Sequence, residues 1–157
     1  MKKGIIAFLM TGLLMMSCGV DDPQAIKGLE HSDLYLNLKS KGFTDEAVID
    51  EQGVSHVSIK ELFGANYRVS SNGTSQYLYG YTASVVSDFD LKGNVDARQF
   101  FEFLSSLPYD NSSPEVIRQW VSENYNKKES DTVVGGVRFF FTAPSDYARQ
   151  LVVEKAN

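Results

Sequence analysis

Asn66-Tyr-Arg-Val-Ser-Ser-Asn-Gly-Thr-Ser-Gln-Tyr-Leu-Tyr-Gly-Tyr-Thr-Ala-Ser-Val-Val-Ser87 decides the fold class. Two runs rich in β-branched and aromatic residues flank Asn72-Gly73. Both of those residues tolerate the positive φ of a tight hairpin turn, so the spacing predicts strands over 66–71 and 76–87. Val54 to Leu62, just upstream, reads as a third strand. Tyr77, Tyr79 and Tyr81 share one face of the last strand with Ala83 and Val85. The opposite set, Leu78, Gly80, Thr82, Ser84 and Val86, is less apolar, which sends the tyrosines toward the core; turned outward, they would instead form an aromatic platform for a sugar or a partner protein.

Helices are expected on either side of these strands. Ser32 can cap a helix through Leu34, Tyr35 and Leu38 that stops at Lys41-Gly42-Phe43, with Gly42 left-handed and Phe43 folded back on Leu38. Alternation of Leu34, Leu36 and Leu38 also permits a strand. Phe100, Phe103, Leu104 and Leu107 recur at helical spacing and mark an amphipathic helix from Val95 to Leu107, which Asn94 or Asp96 can cap. Ser113-Pro114-Glu115 then opens a helix carrying Val116, Ile117, Trp120 and Val121. The short link between them, residues 108–113, makes the two an antiparallel pair.

Thr132 to Thr142 and Tyr147 to Glu154 read as a closing hairpin. Gly135 and Gly136 start or bulge its first strand. The order predicts an α+β domain, an antiparallel sheet of about five strands with about three helices on one face.

At the amino end, Met1-Lys-Lys precedes an apolar run, Gly4 to Met16, and then Ser17-Cys18-Gly19. Thirteen residues of helix reach roughly 20 Å, short of the ~30 Å of bilayer hydrocarbon, so a secretory signal is the better reading than a membrane span. Met15-Met16-Ser17-Cys18 resembles the lipobox of bacterial lipoproteins, with Met in place of the commonest residues at the first two positions. The resemblance covers about the first twenty residues. It implies removal of 1–17 and diacylglycerol and palmitate chains on Cys18; residues 19–30, which have no sustained period and include Pro23 and Gly28, read as the rest of a lipidated tether over 18–30, and the length of 31–157 suits a single domain. Gly19, rather than Asp, resembles the pattern that sorts such proteins to an outer membrane.

Cys18 is the only cysteine, so no internal disulfide can form and apolar packing must hold the domain. The full chain carries 15 basic and 20 acidic residues; loss of Lys2 and Lys3 takes the formal charge from −5 to about −7. That sign disfavours nucleic acid as a partner.

The chemistry-bearing inventory is thin. Asp88-Phe-Asp90-Leu-Lys92-Gly93 and Asp96 invite comparison with a calcium loop, but Lys92 replaces a ligand and Gln99 stands where a bidentate carboxylate belongs. A solvated turn is the simpler reading. His31 at a helix start and His56 on a strand lack metal-ligand spacing and read as surface side chains. No metal or cofactor is expected. Asp45, Glu46, Asp50 and Glu51 cluster in what reads as a polar connection. Asp131-Thr132-Val133 resembles the acceptor motif for O-linked glycans on some exported bacterial proteins, or is simply a polar strand start.

The sheet face turned from the helices is the best candidate binding surface, with His56, Lys60, Arg68, Arg138 and Phe140. Two functions follow from different classes. One is a non-catalytic, membrane-anchored binding or envelope-assembly module that contacts an envelope protein or glycan through that face. The other is a small carboxylate-dependent hydrolase using Asp88, Asp90 or the Asp45 to Glu51 cluster.

Overall fold

The structure, a computed structural model, describes residues 22–50 and 53–157, with backbone only at Asp50. The expected signal segment, Cys18 and Glu51 lie outside the described residues. Three helices, α1 (His31–Ser40), α2 (Val95–Ser105) and α3 (Pro114–Asn124), accompany seven strands. The strands are β1 (Thr44–Asp50), β2 (Gly53–Leu62), β3 (Ala65–Gly73), β4 (Leu78–Ser87), β5 (Glu129–Val134), β6 (Val137–Ser145) and β7 (Ala148–Lys155). All neighbours in the single sheet are antiparallel, in the order β1-β2-β3-β4-β7-β6-β5. One meander steps inward from the β1 edge, the α2–α3 pair crosses over, and a second steps inward from the β5 edge.

The five-stranded sheet with helices on one face is therefore corrected to a mostly-sheet protein of seven strands and three helices. Two segments account for the difference. β1 is an edge strand on which Glu46, Ala47, Val48 and Ile49 are exposed, so it lacks the half-buried alternation that betrays an inner strand. The run from Thr132 to Thr142 is two strands, because Gly135 and Gly136 have φ of 57° and 80° and turn the chain in two residues.

Several local expectations match the structure. Gly42 has φ 83°, and Phe43 donates its amide to the Leu38 carbonyl at 3.2 Å, closing α1 as read. Asn94 caps α2 by accepting the Ala97 amide at 2.8 Å, and Pro114 begins α3. At the start of α1 the cap is Glu30 rather than Ser32: the Glu30 amide donates to Asp33 Oδ2 at 3.0 Å in a reciprocal box.

The 66–87 hairpin forms, but its turn lies three residues later, centred on Ser75-Gln76. Gly73 stays in β3, where a Cβ would sit 1.9 Å from the Tyr77 carbonyl oxygen, and Thr74 to Tyr77 make the turn. A bulge follows, since Asn72 pairs with Gly80 and Gly73 with Leu78, leaving Tyr79 extra. The bulge breaks the tyrosine alternation. Tyr81 and Leu78 are buried, while Tyr79 is half-exposed and donates its hydroxyl to Asp22 Oδ2 at 2.7 Å.

Aromatic packing ties the helices to the sheet. Phe101 meets Phe141 edge-on with centroids 5.2 Å apart, and the Tyr81 hydroxyl donates to the Leu104 carbonyl at 2.8 Å. Each fully buried side chain of this kind contributes roughly 1.5–3 kcal/mol. Residues 22–30 are packed rather than free: Ala25, Ile26 and Leu29 are buried, and Ile26 donates its amide to Leu78 at 2.8 Å. Among the described residues no helix is long and apolar enough to cross a membrane.

Candidate functional site

A concave pocket of about 380 Å³ lies where the end of α1 meets β2, β3 and α2. The left-handed turn at Gly42 folds Phe43 inward, and strand register sets Lys60 beside Tyr67. α2 adds Asp96, Gln99, Phe100 and Phe103, which share one helical face by their i, i+3, i+4, i+7 spacing. The floor is aromatic. Phe43 and Phe100 stack with centroids 5.7 Å apart, and Phe100 meets Tyr67 edge-on at 5.1 Å.

The rim is cationic. Lys41 Nζ stands 4.2 Å from the Phe103 ring centre, and Lys60 Nζ stands 5.7 Å from that of Phe43 while donating to the Lys41 carbonyl at 2.7 Å. Among the described residues neither lysine has a carboxylate within ion-pair distance, although Asp96 lines the same pocket. Burial, with the Asp96 charge adding to it, raises the Tyr67 pKa, so its phenol is a neutral donor.

Beneath α1 runs a polar spine. His31 is 1% exposed; its Nδ1 faces the Thr74 carbonyl at 3.1 Å and its Nε2 faces Ser71 Oγ at 2.8 Å. A carbonyl can only accept, so the proton belongs on Nδ1 and Ser71 donates to Nε2. His56 packs edge-on against His31 at 4.8 Å, stacks on Tyr35 at 4.2 Å and holds Asp45 Oδ2 at 2.7 Å from Nδ1. Ser58 donates to the other Asp45 oxygen at 2.9 Å. A serine donating to an oriented imidazole is the arrangement of an activated nucleophile, but Ser71 is only 5% exposed. The spine's evident work is to fasten α1 to β1, β2 and β3.

The five residues proposed for one open face are divided between two. His56 pairs with Ser71 and Lys60 with Tyr67, on the helix side, so their placement on the open face is corrected. The inner face of β2 is polar because Asp45 and α1 satisfy it, leaving the more apolar Val57 and Ile59 on the other side. Arg68, Arg138 and Phe140 alternate along their strands with the buried Tyr67, Val69, Val137, Phe139 and Phe141, so they face away from that core. Arg138 is held there by Asp131 at 2.8 Å and Glu154 at 2.9 Å, with its guanidinium 5.4 Å from the Phe140 ring. Arg68 makes a 3.2 Å hydrogen bond to Ser70.

The surface reading of His31 and His56 is likewise corrected, since the spine encloses both. Asp88 and Asp90 are exposed, and Asp90 accepts the Lys92 amide at 2.7 Å. Thr132 is half-buried on the edge strand β5. Among the described residues no three His, Cys, Asp or Glu are grouped to hold a metal.

Phe43, Phe100 and Phe103 were legible as apolar positions but not as a pocket. The chain matches no protein-family model, no curated protein and no solved structure.

Proposed function

We propose that this protein is a non-catalytic binding module, lipid-tethered in a bacterial cell envelope, that receives its ligand in the pocket between α1, β2 and α2. The observation that carries the binding reading is the pocket itself, an aromatic floor with two ammonium groups at the rim that have no carboxylate within ion-pair distance among the described residues. Ligand sites have this composition: mostly apolar walls and a few placed polar groups. The acids suggested for hydrolysis do not converge there. Asp45 is engaged by His56 and Ser58, while Asp88 and Asp90 are solvated.

The tether rests on the lipobox resemblance at Met15 to Cys18. Four residue steps from Cys18 to Asp22 reach at most about 14 Å, so a lipid on Cys18 would hold the Asp22 end close to the bilayer. Asp22 contacts Tyr79, whereas the pocket lies at Tyr67, opposite Val85 on the same strand. Six residues of strand separate those levels by about 20 Å. A ligand would then arrive from the aqueous compartment rather than from the membrane.

Two measurements test the proposal. Mass spectrometry of the native protein should find a mature chain beginning at acylated Cys18; an unmodified chain beginning at Met1 contradicts the tether. Titration with the neutral fluorophore N-phenyl-1-naphthylamine should show saturable binding, lost in Leu62→Trp, which fills the pocket. Binding unchanged by that substitution contradicts the site.

A further inference from the structure

We infer that the pocket selects a monoanionic amphiphile, a flat aromatic or acyl body bearing one carboxylate or sulfonate. This rests on the binding reading above and adds the chemistry of the ligand to it.

Three features of the rim carry the inference. Lys60 Nζ bonds the Lys41 backbone carbonyl and stands over the Phe43 ring, while Lys41 Nζ stands over the Phe103 ring, so both ammonium groups border the same aromatic pocket. Among the described residues neither ammonium has a carboxylate within ion-pair distance, so an anion in the pocket gains two partners that no fixed ion pair already holds. The lysine stems and the Phe43, Phe100 and Phe103 rings supply apolar contact for a body attached to that anion. A free inorganic anion would leave this surface uncovered.

Asp96 sets the valence. It lines the same pocket and opposes the two lysines, leaving a formal local charge of one positive. A monoanion neutralises that charge, whereas a phosphate monoester or other dianion over-compensates it beside a carboxylate. The volume of about 380 Å³ falls at the small end of ligand sites, which suits a body of one or two rings or a medium acyl chain.

A matched pair of probes isolates the charge. 8-Anilinonaphthalene-1-sulfonate has the same fused-ring and aniline body as N-phenyl-1-naphthylamine plus one sulfonate. Fluorescence titration of the full chain should show the sulfonate binding about tenfold more tightly than the neutral probe, the gain of one charge-assisted hydrogen bond. Lys41→Met and Lys60→Met, which keep the apolar stems, should each reduce that ratio severalfold. Dodecanoate should displace the sulfonate probe and dodecanol should compete far less well, which also separates pocket binding from dye adsorbed on loosened protein.

Equal affinity for the two probes, or a ratio unmoved by either lysine substitution, overturns the anion selectivity and leaves the pocket as a neutral apolar site. Failure of both probes to bind overturns the binding reading and this inference with it.

Discussion

Ser71 and His31, forty positions apart in the chain, meet in a buried hydrogen bond of 2.8 Å from hydroxyl to Nε2. Through it the first turn of α1 is fixed to β3, and Lys41, the residue that caps the other end of the same helix, stands at the pocket rim. A polar spine at one end of a helix thus helps position a binding wall at the other. Its burial makes the fastening sensitive to protons.

Burial holds the His31 pKa below its ordinary 6.5, with the neighbouring His56 charge acting the same way against opposing contributions from Thr74 and Asp45. The folded chain therefore binds this proton more weakly than the unfolded chain does. The stability involved is present above the unfolded value and is lost as pH falls through the lowered folded value. Urea midpoints should drop between pH 7.5 and 5.5, and the drop should shrink in His31→Gln. An equal drop in both proteins contradicts the assignment.

Arg149 is 2% exposed and meets no carboxylate within ion-pair distance among the described residues. Its guanidinium instead donates to the carbonyls of Tyr125 at 2.9 Å, Ser145 at 2.6 Å and Ala148 at 2.8 Å, and to Asn126 Oδ1 at 3.0 Å. One side chain so joins the end of α3 to the β6–β7 turn. Arg149→Met should lower stability by about 3 kcal/mol, because several buried acceptors lose their donor. Arg149→Lys should not restore it, since a point charge cannot span a fork. A loss under about 0.5 kcal/mol in urea unfolding contradicts this account.

Tyr125 presents the opposite situation. Its hydroxyl is buried with no hydrogen-bond partner among the described residues, and burial pushes its pKa up to about 12. Removing an unsatisfied hydroxyl relieves its desolvation cost, so Tyr125→Phe should raise stability by about 1 kcal/mol. A decrease of that size would mean that the hydroxyl is bonded in solution.

The elements that were legible in the sequence are those whose local signals agree with one another. α2 shows a cap at Asn94 and a clean apolar face; α3 shows Pro114 at its start; α1 shows Gly42 and Phe43 at its end. β1 was hidden because an exposed edge strand needs no alternation, and acidic residues there read as a loop. β2 was found but turned inside out, since Val57 and Ile59 outweigh His56, Ser58 and Lys60 on any hydrophobic scale. Only contacts to Asp45 and α1, invisible along the strand, make the polar face the inner one. The pocket was not legible because its walls come from residues 41 to 103, each of which locally reads as core or surface.

Chemical-shift mapping of the isotope-labelled protein with dodecanoate addresses the central claim most directly. The account predicts saturable shifts centred on Phe43, Lys60, Phe100 and Phe103, with Arg68, Arg138 and Phe140 on the far face undisturbed. Shifts centred on those three residues, or none at saturating dodecanoate, would contradict it.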